Sequence, residues 1–95
     1  MSARRANRVD ANAKAICEEF RKEGAWVFVM PPGAGFDLLV AWNGHLIAVE
    51  VKDGRKPPSA RKLTERENDV RQAFYFRRIT YHIVESIDDV RAVLS

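Results

Sequence analysis

Cysteine is nearly absent from this 95-residue chain: Cys17 is the only one, which excludes an internal disulfide framework and any zinc site built on several thiolates. Glycine and proline are scarce, five and four residues, too few for a low-complexity or collagen-like segment. No apolar run approaches the ~20 residues that cross a bilayer, and no apolar segment follows the first arginines as a secretory signal would require. No internal repeat and no phosphate-binding P-loop appear. What is present is a globular balance, 46% hydrophobic and 31% charged. A chain of this length hides only roughly 60–65% of its unfolded surface, so a single, modest core is expected, with association into a homodimer as a natural support. The composition fits a reducing cytoplasm.

The net charge of +3 is mild, but its distribution is uneven. Arg4, Arg5 and Arg8 precede the first acid, Asp10, and a second basic stretch carries Lys52, Arg55, Lys56, Arg61 and Lys62. Residues 1–9 read as a basic arm and 10–95 as one domain. Arms and loops of this kind are either solvated or in contact with phosphates.

Val9, Ala13, Ile16, Cys17 and Phe20 recur at helical spacing, with Asp10 as a candidate N-cap and Gly24 as the stop. The run 25–30 reads as a buried strand, and 31–35 as a loop. Segments 36–42 and 45–53 flank Asn43-Gly44, a strong hairpin signal. Thr64 and Glu67 have capping-box spacing and open a helix that ends near Phe76. A strand over 80–86 and a short helix over 87–94 close the chain. Both hairpin strands are apolar on both faces, which calls for helices on both sides of the sheet. The expectation is a three-layer α/β domain with a small mixed sheet, in the order αβββαβα.

The hairpin register singles out two acids. With Asn43-Gly44 as a two-residue loop, Trp42 faces His45 and Asp37 falls opposite Glu50. By alternation this is a non-hydrogen-bonded pair, with Cα atoms about 4.5 Å apart. Asp37, Glu50 and Lys52 share one face with Leu39, Ala41, Leu46 and Ala48. Opposed carboxylates on an apolar face repel each other and lose hydration. A divalent cation would compensate, and Lys52 would help. The alternative is that the acids lie at the sheet ends in water, with Lys52 as an ordinary ion-pair partner.

Other candidates carry two readings each. Glu67 is a helix cap or a site residue, and the roles can coexist. Asp10 is an N-cap or an additional acid. Glu18 and Glu19 read as solvated helix residues, Cys17 as inert core, and His45 and His82 as structural. Phe74, Tyr75 and Phe76 are adjacent and cannot all face one way.

Gly35-Phe36-Asp37, a hairpin and then Glu50-Val51-Lys52 resemble the PD-(D/E)XK nuclease superfamily, with Phe36 where proline usually precedes the first acid. The order of elements is similar too. More narrowly, Gly24, residues 35–40, 50–54 and 59–64 and the final strand and helix resemble the small VRR-NUC nucleases, including short phage-encoded and Holliday-junction-resolvase-like ones. The resemblance implies a restriction-endonuclease-like fold and Mg²⁺- or Mn²⁺-dependent hydrolysis of DNA phosphodiesters, leaving 5′-phosphate and 3′-hydroxyl. It implies Asp37, Glu50 and the Val51 carbonyl as metal ligands, Lys52 as the residue that orients water or stabilises developing charge, and Glu67 as a further catalytic residue. Arg4, Arg5, Arg8, Arg55, Lys56, Arg61 and Lys62 are the candidate DNA contacts. So small a chain favours structure-selective cutting of branched, flapped or junction DNA; size and resemblance together imply a homodimer, and the resemblance implies a bacterial or phage-infected cytoplasm, with no membrane partner expected. A non-catalytic DNA-binding or assembly module that keeps the fold is the competing reading.

Overall fold

The computed structural model describes residues 11–95. The elements are α1 (Ala11–Lys22), β1 (Trp26–Val29), β2 (Leu38–Trp42), β3 (His45–Val51), α2 (Glu65–Phe76), β4 (Tyr81–Val84) and α3 (Ile87–Val93), with a 3-10 turn at Pro58–Ala60. They form a small mixed α/β unit. The sheet order is β1-β2-β3-β4, antiparallel except for the parallel β3–β4 pair. Among the described residues no helix is long and apolar enough to cross a membrane.

Local chemistry sets the boundaries. α1 ends where Gly24 takes φ +94° and the Ala25 N–H donates to the Phe20 carbonyl at 3.0 Å. The hairpin turn places both Asn43 (φ 48°) and Gly44 (φ 82°) in the left-handed region, as a type I′ turn requires. Thr64 and Glu67 close a reciprocal capping box on α2. Ser86 caps α3 by accepting from the Asp89 N–H. The strands are shorter than the sequence pattern predicts, because their ends leave the ladder at the loops that build the site.

One sheet face carries the core. Val27, Leu38, Val40, Ile47, Val49, Val51 and Val84 point to it and pack with Ile16, Cys17 and Phe20 of α1 and Val90 of α3. Cys17 is buried there, as expected of core. Glu19 corrects the sequence reading: it is buried rather than solvated, and it faces Arg91 at 3.5 Å.

The opposite face is only half covered, where full helical cover was expected. α2 packs over the β4 end, through Phe74 against Phe36 and Tyr81. Toward β1 the face is open, and Trp26, Phe28 and Leu46 are exposed. Of the three neighbouring aromatics, Phe74 turns inward while Tyr75 and Phe76 face solvent.

Candidate active site

Asp37, Glu50, Lys52 and Glu67 come together on the half-covered face. β3 supplies Glu50, and Lys52 follows directly after it. Glu67 arrives from the first turn of α2, and Asp37 from the residue before β2. The capping box therefore has a second use. Glu67 Oε1 accepts from the Thr64 N–H at 2.9 Å and also from Lys52 Nζ at 3.0 Å. Cap and site roles coexist in one carboxylate.

Asp37 departs from the expected pairing. The regular ladder stops at Leu38↔Val49, and the Asp37 N–H also addresses the Val49 carbonyl, at 2.9 Å. Two residues facing one is the arrangement of a β-bulge, which re-aims a side chain. Asp37 Oδ2 accepts the Val51 N–H at 2.8 Å, and its carboxyl lies beside that of Glu50. The two acids are neighbours, but as a bulged residue and a strand residue rather than as a ladder pair.

The electrostatics are unusual for so small a protein. Glu50 is 2% exposed and its Oε1 has no hydrogen-bond partner. Burial, together with the Asp37 and Glu67 charges, pushes its pKa up to about 9. Burial also raises Asp37, against the opposing Val51 N–H. Burial acts against the Lys52 ammonium too, but Glu67 and Glu50 outweigh it and raise its pKa. Glu67 is lowered, because the Thr64 N–H and Lys52 outweigh its burial. Lys52 Nζ stands 3.4 Å from Glu50 Oε2. Three carboxylates thus face one ammonium.

No protein-family model, curated protein or solved structure matches the chain.

Among the described residues no three acid, histidine or cysteine side chains converge as a ready metal cage. Glu67 Oε1 is committed to Lys52 and Thr64, Asp37 Oδ2 to the Val51 N–H and Glu50 Oε2 to Lys52, so the oxygens left to face a cation are Asp37 Oδ1 and Glu50 Oε1. One or two carboxylates suit Mg²⁺, which keeps several waters. The orphaned Glu50 Oε1 and the uncompensated charge beside it fit such an ion, with the Val51 carbonyl as the further ligand the resemblance implies.

The basic candidates divide. Lys56 and Lys62 are exposed. Arg55 is also exposed but is held to Asp53 by two side-chain hydrogen bonds of 3.2 Å. Arg61 is half-buried, and its Nη1 donates to both Glu85 oxygens at 3.2 Å. Arg4, Arg5, Arg8 and Asp10 lie outside the described residues. His45 sits exposed at the hairpin turn, and His82 lies half-buried in β4, its pKa lowered by burial.

Two supporting residues were not singled out in the sequence. The Tyr81 hydroxyl donates to the Gly35 carbonyl at 2.7 Å, holding the segment that leads into Asp37. Asn12 Nδ2 donates to the Lys52 carbonyl at 2.8 Å, tying α1 to the end of the site strand. An Asn inside an otherwise apolar helix stripe was the available signal for the second. Nothing local marks the first.

Proposed function

We propose that the protein is a metal-dependent nuclease with a restriction-endonuclease-like fold, hydrolysing DNA phosphodiester bonds with a preference for branched, flapped or junction substrates. The observation that carries the reading is Glu50: a buried carboxylate with an unsatisfied oxygen, beside Asp37 and within 3.4 Å of a lysine. Folding gains little from such an arrangement, since a buried carboxyl with an orphaned oxygen is costly and without a cation burial keeps it protonated. A phosphoryl-transfer site gains from it, because a cation held there meets the phosphate.

Asp37 and Glu50, with the Val51 carbonyl, are the residues that hold Mg²⁺ or Mn²⁺. The bound ion supplies Lewis-acid polarisation of a phosphate oxygen and a lower pKa for coordinated water. Glu67 fixes Lys52 at 3.0 Å, so the ammonium is oriented before substrate arrives. Lys52 positions the attacking water and stabilises the negative charge that grows on the phosphate. Water adds to phosphorus, the bond to the 3′-oxygen breaks, and the proton the attacking water gives up reaches that oxygen through solvent, leaving the 3′-hydroxyl. The products carry 5′-phosphate and 3′-hydroxyl ends. Lys56 and Lys62 lie on the segment after β3 and give affinity without sequence choice.

The test is cleavage of labelled linear duplex, single strand, flap, splayed arm and four-way junction in Mg²⁺, Mn²⁺ or EDTA. Wild type runs beside Glu50→Gln and Lys52→Ala at matched purity. Metal-dependent cutting that both variants lose supports the nuclease. No cutting by wild type, with DNA binding unchanged in all three proteins, supports a non-catalytic binding module instead.

A further inference from the structure

Trp26 and Phe28 are the least expected residues of the open sheet half. They are 57% and 49% exposed, on a strand whose other face is core. Their rings lie nearly parallel, with centroids 6.1 Å apart and planes within 9°. The register puts both on the face of the carboxylates: Trp26 pairs with Ala41, Phe28 with Leu39, and Leu39 with Ala48, two residues before Glu50. β1 also continues toward Asp37, since the Met30 N–H donates to the Asp37 carbonyl at 2.8 Å. Strand geometry then places the Phe28 Cα about 8 Å from that of Asp37, and the Trp26 Cα about 14 Å away. One element adds charge. Arg21, exposed in the last turn of α1, hydrogen-bonds the Val27 carbonyl at 3.1 Å and so fixes a guanidinium at β1, at the residue between Trp26 and Phe28 in the chain.

We propose that Trp26 and Phe28 form a stacking platform for unpaired nucleobases, with Arg21 as its phosphate contact. This rests on the nuclease reading and deepens it by naming what the enzyme grips beside the cut. Aromatic rings interleaved with a cation are how single-stranded nucleic acid is held without sequence choice. The separation from Asp37 suits bases within a nucleotide or two of a phosphate at the carboxylates. Paired bases stack inside their helix and cannot reach the rings, so the platform accounts for selecting flapped or frayed ends. A second copy of the chain is the competing occupant. An isologous contact there would bring the same arginine-bearing edge against itself.

The experiment uses oligonucleotides with 2-aminopurine in an unpaired arm, bound in Ca²⁺, and follows the fluorescence of that base. The proteins are wild type, Trp26→Ala, Phe28→Ala and Trp26→Phe, with melting curves to confirm folding and sedimentation to read association. Cleavage of flap and blunt duplex in Mg²⁺ is measured alongside. The expected result is quenching by wild type and Trp26→Phe that both alanine variants lose. Their affinity for the unpaired arm falls about tenfold, while blunt-duplex binding holds. Retained quenching and flap preference in both alanine variants would overturn the platform and leave the nuclease standing. A wild-type dimer that Trp26→Ala turns into a monomer, with quenching intact, would assign the patch to a second copy. Absence of metal-dependent cutting by wild type would overturn the nuclease reading on which the platform's role in cutting rests, and absence of quenching by wild type would overturn the platform itself.

Discussion

The Tyr81 hydroxyl donates to the Gly35 carbonyl at 2.7 Å, across 46 residues of sequence. It joins the first residue of β4 to the segment that delivers Asp37. Phe36, between them, packs edge-on against both Phe74 and Tyr81. Burial and the nearby carboxylates raise the phenol's pKa, so it remains a donor throughout the physiological range. Tyr81→Phe keeps the ring packing and removes the bond. The expected outcome is a loss of about 1 kcal/mol in stability. The Mg²⁺ concentration needed for half-maximal cleavage rises several-fold, while the rate at saturating Mg²⁺ is little changed. Melting and a metal titration of cleavage measure the two. An unchanged metal requirement would reduce the bond to a purely structural one.

Gly35 has φ +90°, and a Cβ placed there would overlap Cγ2 of Val70 on α2. Gly35→Ala therefore meets both backbone strain and a clash with a packed helix. A loss of about 2–3 kcal/mol is expected. Gly35→Ala with Val70→Ala should recover part of it, since the clash is relieved and the strain stays. Denaturant melts of the three variants separate these contributions.

Glu50 makes metal-free stability depend on pH. Its folded pKa of about 9 lies above the ordinary 4.5, so the folded protein holds a proton that the unfolded chain releases. This contribution is fully present below about 4.5 and is lost as pH rises through about 9. In EDTA the melting temperature should fall across that window, and Mg²⁺ should restore more of it at pH 8.5 than at pH 6. Glu50→Gln should flatten the profile and stabilise the metal-free protein by about 2 kcal/mol at pH 8.5, while abolishing cleavage. A wild-type profile as flat as that of the variant would contradict the burial argument.

The basic residues predict different behaviour. Lys56→Ala and Lys62→Ala should weaken DNA binding uniformly across sequences, each lowering the slope of log K against log salt by about 1. Arg61→Ala should lower that slope less and also cost some stability, because its Nη1 is held by Glu85. Salt titrations of binding, read beside melts, test all three.

Much of this architecture is legible along the chain because its signals are local. Asn43-Gly44 sets a turn type, Thr64 and Glu67 set a helix start, and hairpin parity puts Glu50 and Lys52 on one face. These depend on residues a few positions apart. The bulge at Asp37 is not local: an acid next to a ladder end reads the same in sequence whether or not its N–H shifts to Val49. The Asn12, Tyr81 and Glu19–Arg91 contacts join segments far apart in the chain. The continuous apolar run 25–30 also marks Trp26 and Phe28 as buried, because it reports apolar faces and not whether a helix is there to cover them.

Asn12 has a consequence for the order in which the protein assembles. Its side chain reaches the Lys52 carbonyl at 2.8 Å and the Glu85 carbonyl at 3.4 Å, and the Lys52 N–H donates to Val84 at 3.0 Å. The strand end that bears Lys52 is thus clasped by the beginning and the last third of the described chain together. The β1–β2–β3 meander can form from neighbouring segments as they leave the ribosome. The parallel β4 must wait for its crossover, and such non-local pairing is slow. The Lys52 end of β3 is therefore complete only when α1 and β4 have both docked, which makes it a point where the two ends of the described chain close on each other.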